Sequence, residues 1–114
     1  MSSIVINGTT LMNCTPHPIA LIGKDGETVA LAKGTVVPRV AVINEEVGSV
    51  GNIQLFRSTY GAVEGLPGPV ENTVLIVSML VRIASGARTD LASPGVLTRD
   101  PEGKIIGATG LSVN

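Results

Sequence analysis

The feature that most constrains the fold is the long apolar run at residues 74–81, because it leads directly into charged residues. Only Ser78 interrupts the run, and Arg82, Arg88 and Asp90 follow within nine positions. The run is too short to cross a bilayer, since a membrane helix needs about 20 apolar residues. It must therefore be buried within protein, where a neighbouring guanidinium needs a partner.

Residues 73–85 are predicted to form a helix. Asn72 is a good N-cap with Pro69 just ahead of it, and Gly86 follows as a natural stop. A buried strand is the competing interpretation because Val and Ile are abundant, but the length of the segment favours a helix.

Such a helix would be apolar around most of its circumference, which is typical of a helix buried on nearly all sides. One small sheet covers only one side, so the same helix of a second subunit is the expected partner. The polar positions Ser78, Arg82 and Ser85 fall on one stripe because they are spaced by four and three residues.

The rest of the chain is predicted to be mostly strands. Asp25-Gly26 and the Asp100–Gly103 stretch are hairpin turns between apolar segments. The predicted strands are 4–6, 19–22, 28–32, 35–43, 52–58, 95–99 and 104–111. We predict one α+β domain, residues 1–114, in which an antiparallel sheet wraps one central helix, a β-hairpin ends the chain, and helices pair across a homodimer.

The composition favours association and excludes several classes of protein. Apolar residues make up 44% of the chain and charged residues 15%, too few to cover a small monomer well. The net charge of −1 argues against binding to DNA or RNA polymers. A lone Cys14 and the absence of a signal-peptide pattern indicate a cytoplasmic protein with no disulfide and no membrane segment.

No catalytic or metal motif stands out. His17 is the only histidine and lies between two prolines in the TPHP corner, residues 15–18, for which a structural role is expected. Residues 48–51 lack the Lys-Ser/Thr of a P-loop, so a flexible loop is expected there. We predict a protein that binds without catalysis and needs no cofactor or metal; a small hydrolase using His17 is the remaining enzymatic alternative.

The arginines have two interpretations. Arg82 and Arg88 could be satisfied internally, by Glu64, Asp90 or backbone carbonyls at the helix end. Alternatively, several arginines could converge at a subunit seam and bind a phosphate, for which the guanidinium fork is well suited. The sequence leaves both interpretations open.

Five segments carry a resemblance to a known family: TPHP (15–18), YGAVEGLP (60–67), LIVSMLV (75–81), R-x-D (88–90) and RDPEGKIIGA (99–108). Together they resemble small phage and bacterial proteins and are similar to the phage anti-Thoeris sponges, which sequester cyclic ADP-ribose signals. That family implies a sheet around paired helices, ligand pockets at the dimer seam, and further assembly into hexamers that can also hold cyclic oligonucleotides.

The resemblance implies a phage anti-defence protein that sequesters a cyclic nucleotide in the cytoplasm of an infected bacterium. The family's pocket uses an aromatic near the helix, an amide and arginines; here the helix has no aromatic, so Tyr60 or Phe56 would substitute. The predicted ligand-binding residues are Arg39, Arg57, Tyr60, Ser78, Arg82, Arg88 and Arg99, with Tyr60 stacking on a ring. A phage structural or assembly protein with no small-molecule ligand is the alternative function.

Overall fold

A computed structural model describes all residues, 1–114, and contains nine strands and one short helix. In chain order the elements are β1 Ser3–Ile6, β2 Thr9–Asn13, β3 Ile19–Ile22, β4 Thr28–Leu31, β5 Arg39–Val50, β6 Ile53–Glu64, β7 Thr73–Ile76, α1 Met79–Ala84, β8 Leu91–Arg99 and β9 Ile105–Val113. The single helix is too short to cross a membrane.

Seven strands form one curled sheet in the order β1-β2-β7-β8-β9-β3-β4. The sheet is mixed, because β7 runs parallel to both β2 and β8, and β3 runs parallel to β9. Its two ends approach each other closely enough that the Ala32 amide, just after β4, donates to the Met1 carbonyl. The sheet is therefore nearly closed on itself.

The predicted α+β fold around a central helix is wrong. Residues 73–76 form a buried central strand, and the helix has only six residues and begins at Met79. Asn72 has a φ of 55° in a turn before β7, and Ser78 is the N-cap instead. Leu75 and Ile76 pair with β2 on one side and β8 on the other, which a sequence-local argument cannot anticipate. Six residues are also too few for the predicted core of paired helices.

Both hairpins that the sequence predicts around Asp-containing turns are confirmed. β3 pairs antiparallel with β4 around the Asp25-Gly26 turn, and β8 pairs antiparallel with β9 around residues 100–103. The Asp25 and Asp100 carboxylates accept backbone N–H bonds inside their turns. These side chains mimic backbone turn bonds, which is why the turns could be predicted locally.

The core is small and divided in two. One cluster comprises Cys14, Leu75, Val77, Val81 and Leu91 beneath the helix; the other comprises Leu21, Leu31, Ile76 and Ala108. Only 15 of the 114 residues are buried. Because the core is so small, many aliphatic side chains that the sequence predicts to be buried lie at the surface instead.

Strands β5 and β6 pair only with each other and form a long hairpin, here called the arm, residues 39–64. Twelve residues per strand give the arm a length of about 40 Å. The radius of gyration is 16.8 Å, whereas a compact domain of this length has about 13 Å. The expected loop at residues 48–51 is instead the end of β5 and the first turn residue, so that prediction is wrong.

Candidate interaction site

An open cavity of about 690 Å³ lies between the TPHP corner and strands β3, β4, β8 and β9. Gly107 and eleven apolar residues line most of it: Pro16, Pro18, Ile19, Ala20, Ala30, Leu31, Pro94, Leu97, Ile105, Ile106 and Ala108. The polar side chains in the lining are those of Thr15, His17 and Ser78. Leu31 and Ala108 also belong to the second core cluster, so the cavity opens directly from the core. No Asp, Glu, Lys or Arg lines it, and its only ionisable side chain is that of His17.

The TPHP corner is held rigidly by the buried amide of Asn13. Its Oδ1 accepts from the Thr15 backbone N–H at 2.9 Å and from the Thr15 hydroxyl at 2.7 Å. Its Nδ2 donates to the carbonyls of His17 and Ala32, both at 2.9 Å. One side chain thus links β2, the corner and the end of β4, which fixes one wall of the cavity. The His17 side chain is exposed, and its role stays a prediction.

The arm is exposed on both faces. Every residue from 41 to 60 is solvent-exposed. The cross-strand register places Val42, Phe56 and Tyr60 on one face and Ile43, Val50, Ile53 and Leu55 on the other. Both faces of the hairpin therefore carry exposed apolar side chains among polar and charged ones.

The base of the arm, in contrast, is firmly attached. Val40, Val63 and Leu66 pack against the first core cluster. Arg88 adds a polar anchor, because its Nη2 donates to the carbonyl of Pro67 in the turn that follows the arm. The arm therefore leaves the body from a fixed base.

Arg88 forms a two-point ion pair with Asp90. Its Nε and Nη2 each lie 2.7 Å from an Asp90 carboxylate oxygen. The hydrogen bond from Arg88 holds the pKa of Asp90 below its ordinary value, and the same bond raises the pKa of Arg88. Of the two interpretations of this arginine, the structure shows the internal pairing.

Arg82 is also bonded within the chain. Its Nε donates to the Ser93 hydroxyl at 2.8 Å, and its Nη1 donates to the Val113 carbonyl and to Asn114 Oδ1. Asn114 in turn donates to the carbonyls of Arg82, Ser85 and Arg88, and so caps the end of the helix. Arg82 thereby fastens the C-terminus to the helix.

The remaining predicted ligand residues lie apart. Arg99 donates to the Gly103 carbonyl in the β8–β9 turn. Arg57 and Tyr60 are exposed on the arm, where the register sets Arg57 opposite Glu45, and Arg39 lies opposite Glu64 at the arm base. Ser78, whose hydroxyl accepts from Val81 N–H, and Arg39 line one shallow depression. A single chain therefore does not gather these seven residues into one pocket.

Sequence reasoning missed the cavity walls and Asn13. Leu97 and Ile106 were assigned to strands, but nothing in their local pattern shows that they face a cavity shared with the TPHP corner. Asn13 directly precedes Cys14 and the corner, and a polar residue at the end of an apolar strand is a weak signal of a buried hydrogen-bonding role.

No group of three or more His, Cys, Asp or Glu side chains is placed to hold a metal ion. The candidate site consists of a cavity without Asp, Glu, Lys or Arg side chains and an arm with exposed apolar side chains. Comparison of the chain with protein-family models, with curated proteins and with solved structures found no match.

Proposed function

We propose that this protein is a non-enzymatic assembly protein that works as a homo-oligomer joined through its arm. The observation that carries the proposal is the arm itself, a two-stranded hairpin with eight large apolar side chains exposed along it: Val42, Ile43, Val47, Val50, Ile53, Leu55, Phe56 and Tyr60. An isolated two-stranded hairpin is at best marginally stable in water. A partner surface would supply the burial that the body of this chain does not.

The accessible area supports the same proposal. A folded monomer of 11.6 kDa exposes about 5,800 Å², whereas this chain exposes 7658 Å². The excess of about 1,800 Å² exceeds the roughly 800 Å² that each partner buries in a standard interface. An obligate homo-oligomer, whose interfaces are larger and more apolar, accounts for that excess.

Size-exclusion chromatography with light scattering tests the proposal. The wild type is expected to elute with at least twice the 11.6 kDa chain mass. Leu55→Asp with Phe56→Asp, which charges both faces of the arm, should shift the mass to that of the monomer. The matched control is Lys24→Asp with Glu27→Lys in the β3–β4 turn, which should leave the mass unchanged. A wild type that is monomeric at high micromolar concentration would overturn the proposal.

The second candidate is the cyclic-nucleotide sponge implied by the sequence resemblance, acting in the host cytoplasm. Its support is the exposure of Arg57 and Tyr60 on the arm, where a subunit seam would bring residues of two chains together. Arg82, Arg88 and Arg99 are already bonded internally, so each would offer phosphate only its remaining N–H groups or exchange its internal partners.

A thermal-shift screen with cyclic ADP-ribose isomers and cyclic oligonucleotides tests the second candidate, because a ligand that binds only the folded state raises the melting temperature. Bound ligand should be released intact on heating, and Arg57→Ala should abolish the shift. A flat melting temperature across the panel, or recovery of a cleaved ligand, counts against sequestration.

A further inference from the structure

We infer that the tip of the arm, residues 49–54, inserts into the apolar cavity of a neighbouring copy of the chain. The inference rests on the proposed assembly through the arm and names the surface that receives it. It joins two features that each lack a partner within one chain: the exposed apolar pair Val50 and Ile53 at the tip, and the open apolar cavity.

The tip is narrow and presents two apolar side chains on one face, with Ser49 and Gln54 on the other. Gly51, with a φ of 58°, opens a two-residue turn that keeps the hairpin end tight. Val50 and Ile53 lie directly opposite each other in the register and share a face, with 65% and 69% of their surfaces exposed. These two side chains project side by side from the end of the arm.

The chemistry of the tip and of the cavity is complementary. The tip sequence SVGNIQ contains no charged residue, and no charged Asp, Glu, Lys or Arg lines the cavity. The cavity volume of about 690 Å³ has room for two aliphatic side chains together with their backbone. Because neither surface carries an Asp, Glu, Lys or Arg side chain, the two can be buried against each other without leaving a carboxylate, ammonium or guanidinium group unpaired.

Charge also distinguishes the tip from the rest of the arm. Glu45, Glu46 and Arg57 lie farther from the turn, toward the middle of the hairpin. A neutral cavity would accept the tip but not this charged middle section, so insertion would stop there. The charged residues would then form the polar rim that interfaces commonly have.

A chain does not fill its own cavity with its own arm. The tip residues are all exposed, and none of them lines the cavity. The arm base packs on the first core cluster, whereas the cavity opens from the second. Insertion is therefore between copies, either reciprocally in a dimer or from each copy into the next around a ring.

Disulfide trapping tests the contact. Cys14, the only native cysteine, is buried, so introduced cysteines are the reactive ones. The double variant Ile53→Cys with Leu97→Cys should give covalent dimers or higher bands on a non-reducing gel after mild oxidation. Two matched controls should stay monomeric on that gel: Gln54→Cys with Leu97→Cys moves the tip thiol to the other face, and Ile53→Cys with Val96→Cys moves the wall thiol to an exposed residue outside the cavity.

Charge substitutions provide a second, independent test of the contact. Ile53→Asp and Leu97→Asp should each abolish the oligomer, whereas Gln54→Asp and Val96→Asp should keep it, with circular dichroism confirming folding in all four. A wild-type oligomer that survives Leu97→Asp and shows no 53–97 cross-link overturns the insertion while leaving assembly through the arm intact. A monomeric wild type overturns both. A small apolar molecule found in the cavity by native mass spectrometry overturns the insertion.

Discussion

Arg88 and Asp90 face each other through two parallel hydrogen bonds of 2.7 Å, and Arg88 also donates to the carbonyl of Pro67 at 3.0 Å. This is the only salt bridge of the chain. It connects the start of β8 with the turn at the arm base. The charged end of the apolar segment therefore serves to fix the direction in which the arm leaves the body.

Breaking this ion pair is expected to destabilise the protein. Arg88→Ala should lower the free energy of unfolding by about 1–2 kcal/mol, since a two-point pair is stronger than a single contact but both side chains keep some contact with water. Their exposed fractions are 24% and 17%. Urea denaturation followed by circular dichroism measures the change. Arg99→Ala, which loses only an exposed bond within a turn, should change the stability by less than about 0.5 kcal/mol.

The same pair predicts an acid-sensitive term in stability. The pKa of Asp90 in the folded protein lies below its ordinary value of 3.8 because Arg88 hydrogen-bonds the ionised carboxylate. A lowered folded pKa means that the contribution is complete above the unfolded value and is lost as the pH falls through the folded value. The stability difference between wild type and Asp90→Asn should stay constant from pH 7 to about 5 and shrink below about 4. A difference that does not change down to pH 2 would contradict this assignment.

The extent to which the fold follows from the sequence depends on how local each signal is. The Asp25-Gly26 and Asp100–Gly103 hairpins could be predicted because the turn residues make their own bonds. Residues 73–76 could not, since their strand geometry comes from β2 and β8, which are distant in sequence. The helix end before Gly86 was predicted correctly, whereas its start was misplaced by six residues, from Thr73 to Met79.

The candidate site was less predictable than the fold. An alternating apolar pattern indicates that one face of a strand is buried, but it does not say against what. Leu97 and Val96 are adjacent and both exposed, yet only Leu97 lines the cavity. The arm lacked a signal as well, because the local pattern of its strands does not show that they pair only with each other.

Asn13 should be the polar residue on which the TPHP corner, one wall of the cavity, depends most. Asn13→Ala removes the side-chain partner of the Thr15 backbone N–H and of the Ala32 carbonyl, and leaves the His17 carbonyl with only the Thr15 hydroxyl as donor. The expected loss of stability is about 2–4 kcal/mol. Thr15→Val, which removes only the hydroxyl bonds, should cost roughly 1 kcal/mol. Denaturant melts of the two variants provide the comparison. Equal effects of both variants would show that the amide is not the centre of the network.

Cys14 is expected to be unreactive in the folded protein. The residue is 2% exposed, and burial raises the pKa of its thiol, which lowers the fraction of reactive thiolate. A thiol-specific chromogenic disulfide reagent should therefore react slowly with native protein at pH 8 and at once in 6 M guanidinium. Fast reaction of the native protein would indicate that β2 and the corner open readily.

Tyr60 provides a direct optical test of the arm in the assembly. It is the only tyrosine, and the chain has no tryptophan, so all tyrosine emission comes from this position on the arm. In the isolated chain 56% of its surface is exposed. If neighbouring subunits cover the arms, acrylamide should quench the tyrosine fluorescence of the wild type less than that of the monomeric Leu55→Asp, Phe56→Asp variant. The quenching constants should differ by a factor of about two or more, because burial limits collision with the quencher. Dilution of the wild type below its dissociation concentration should raise quenching to the level of the variant, and equal quenching at every concentration would mean that Tyr60 lies outside the interface.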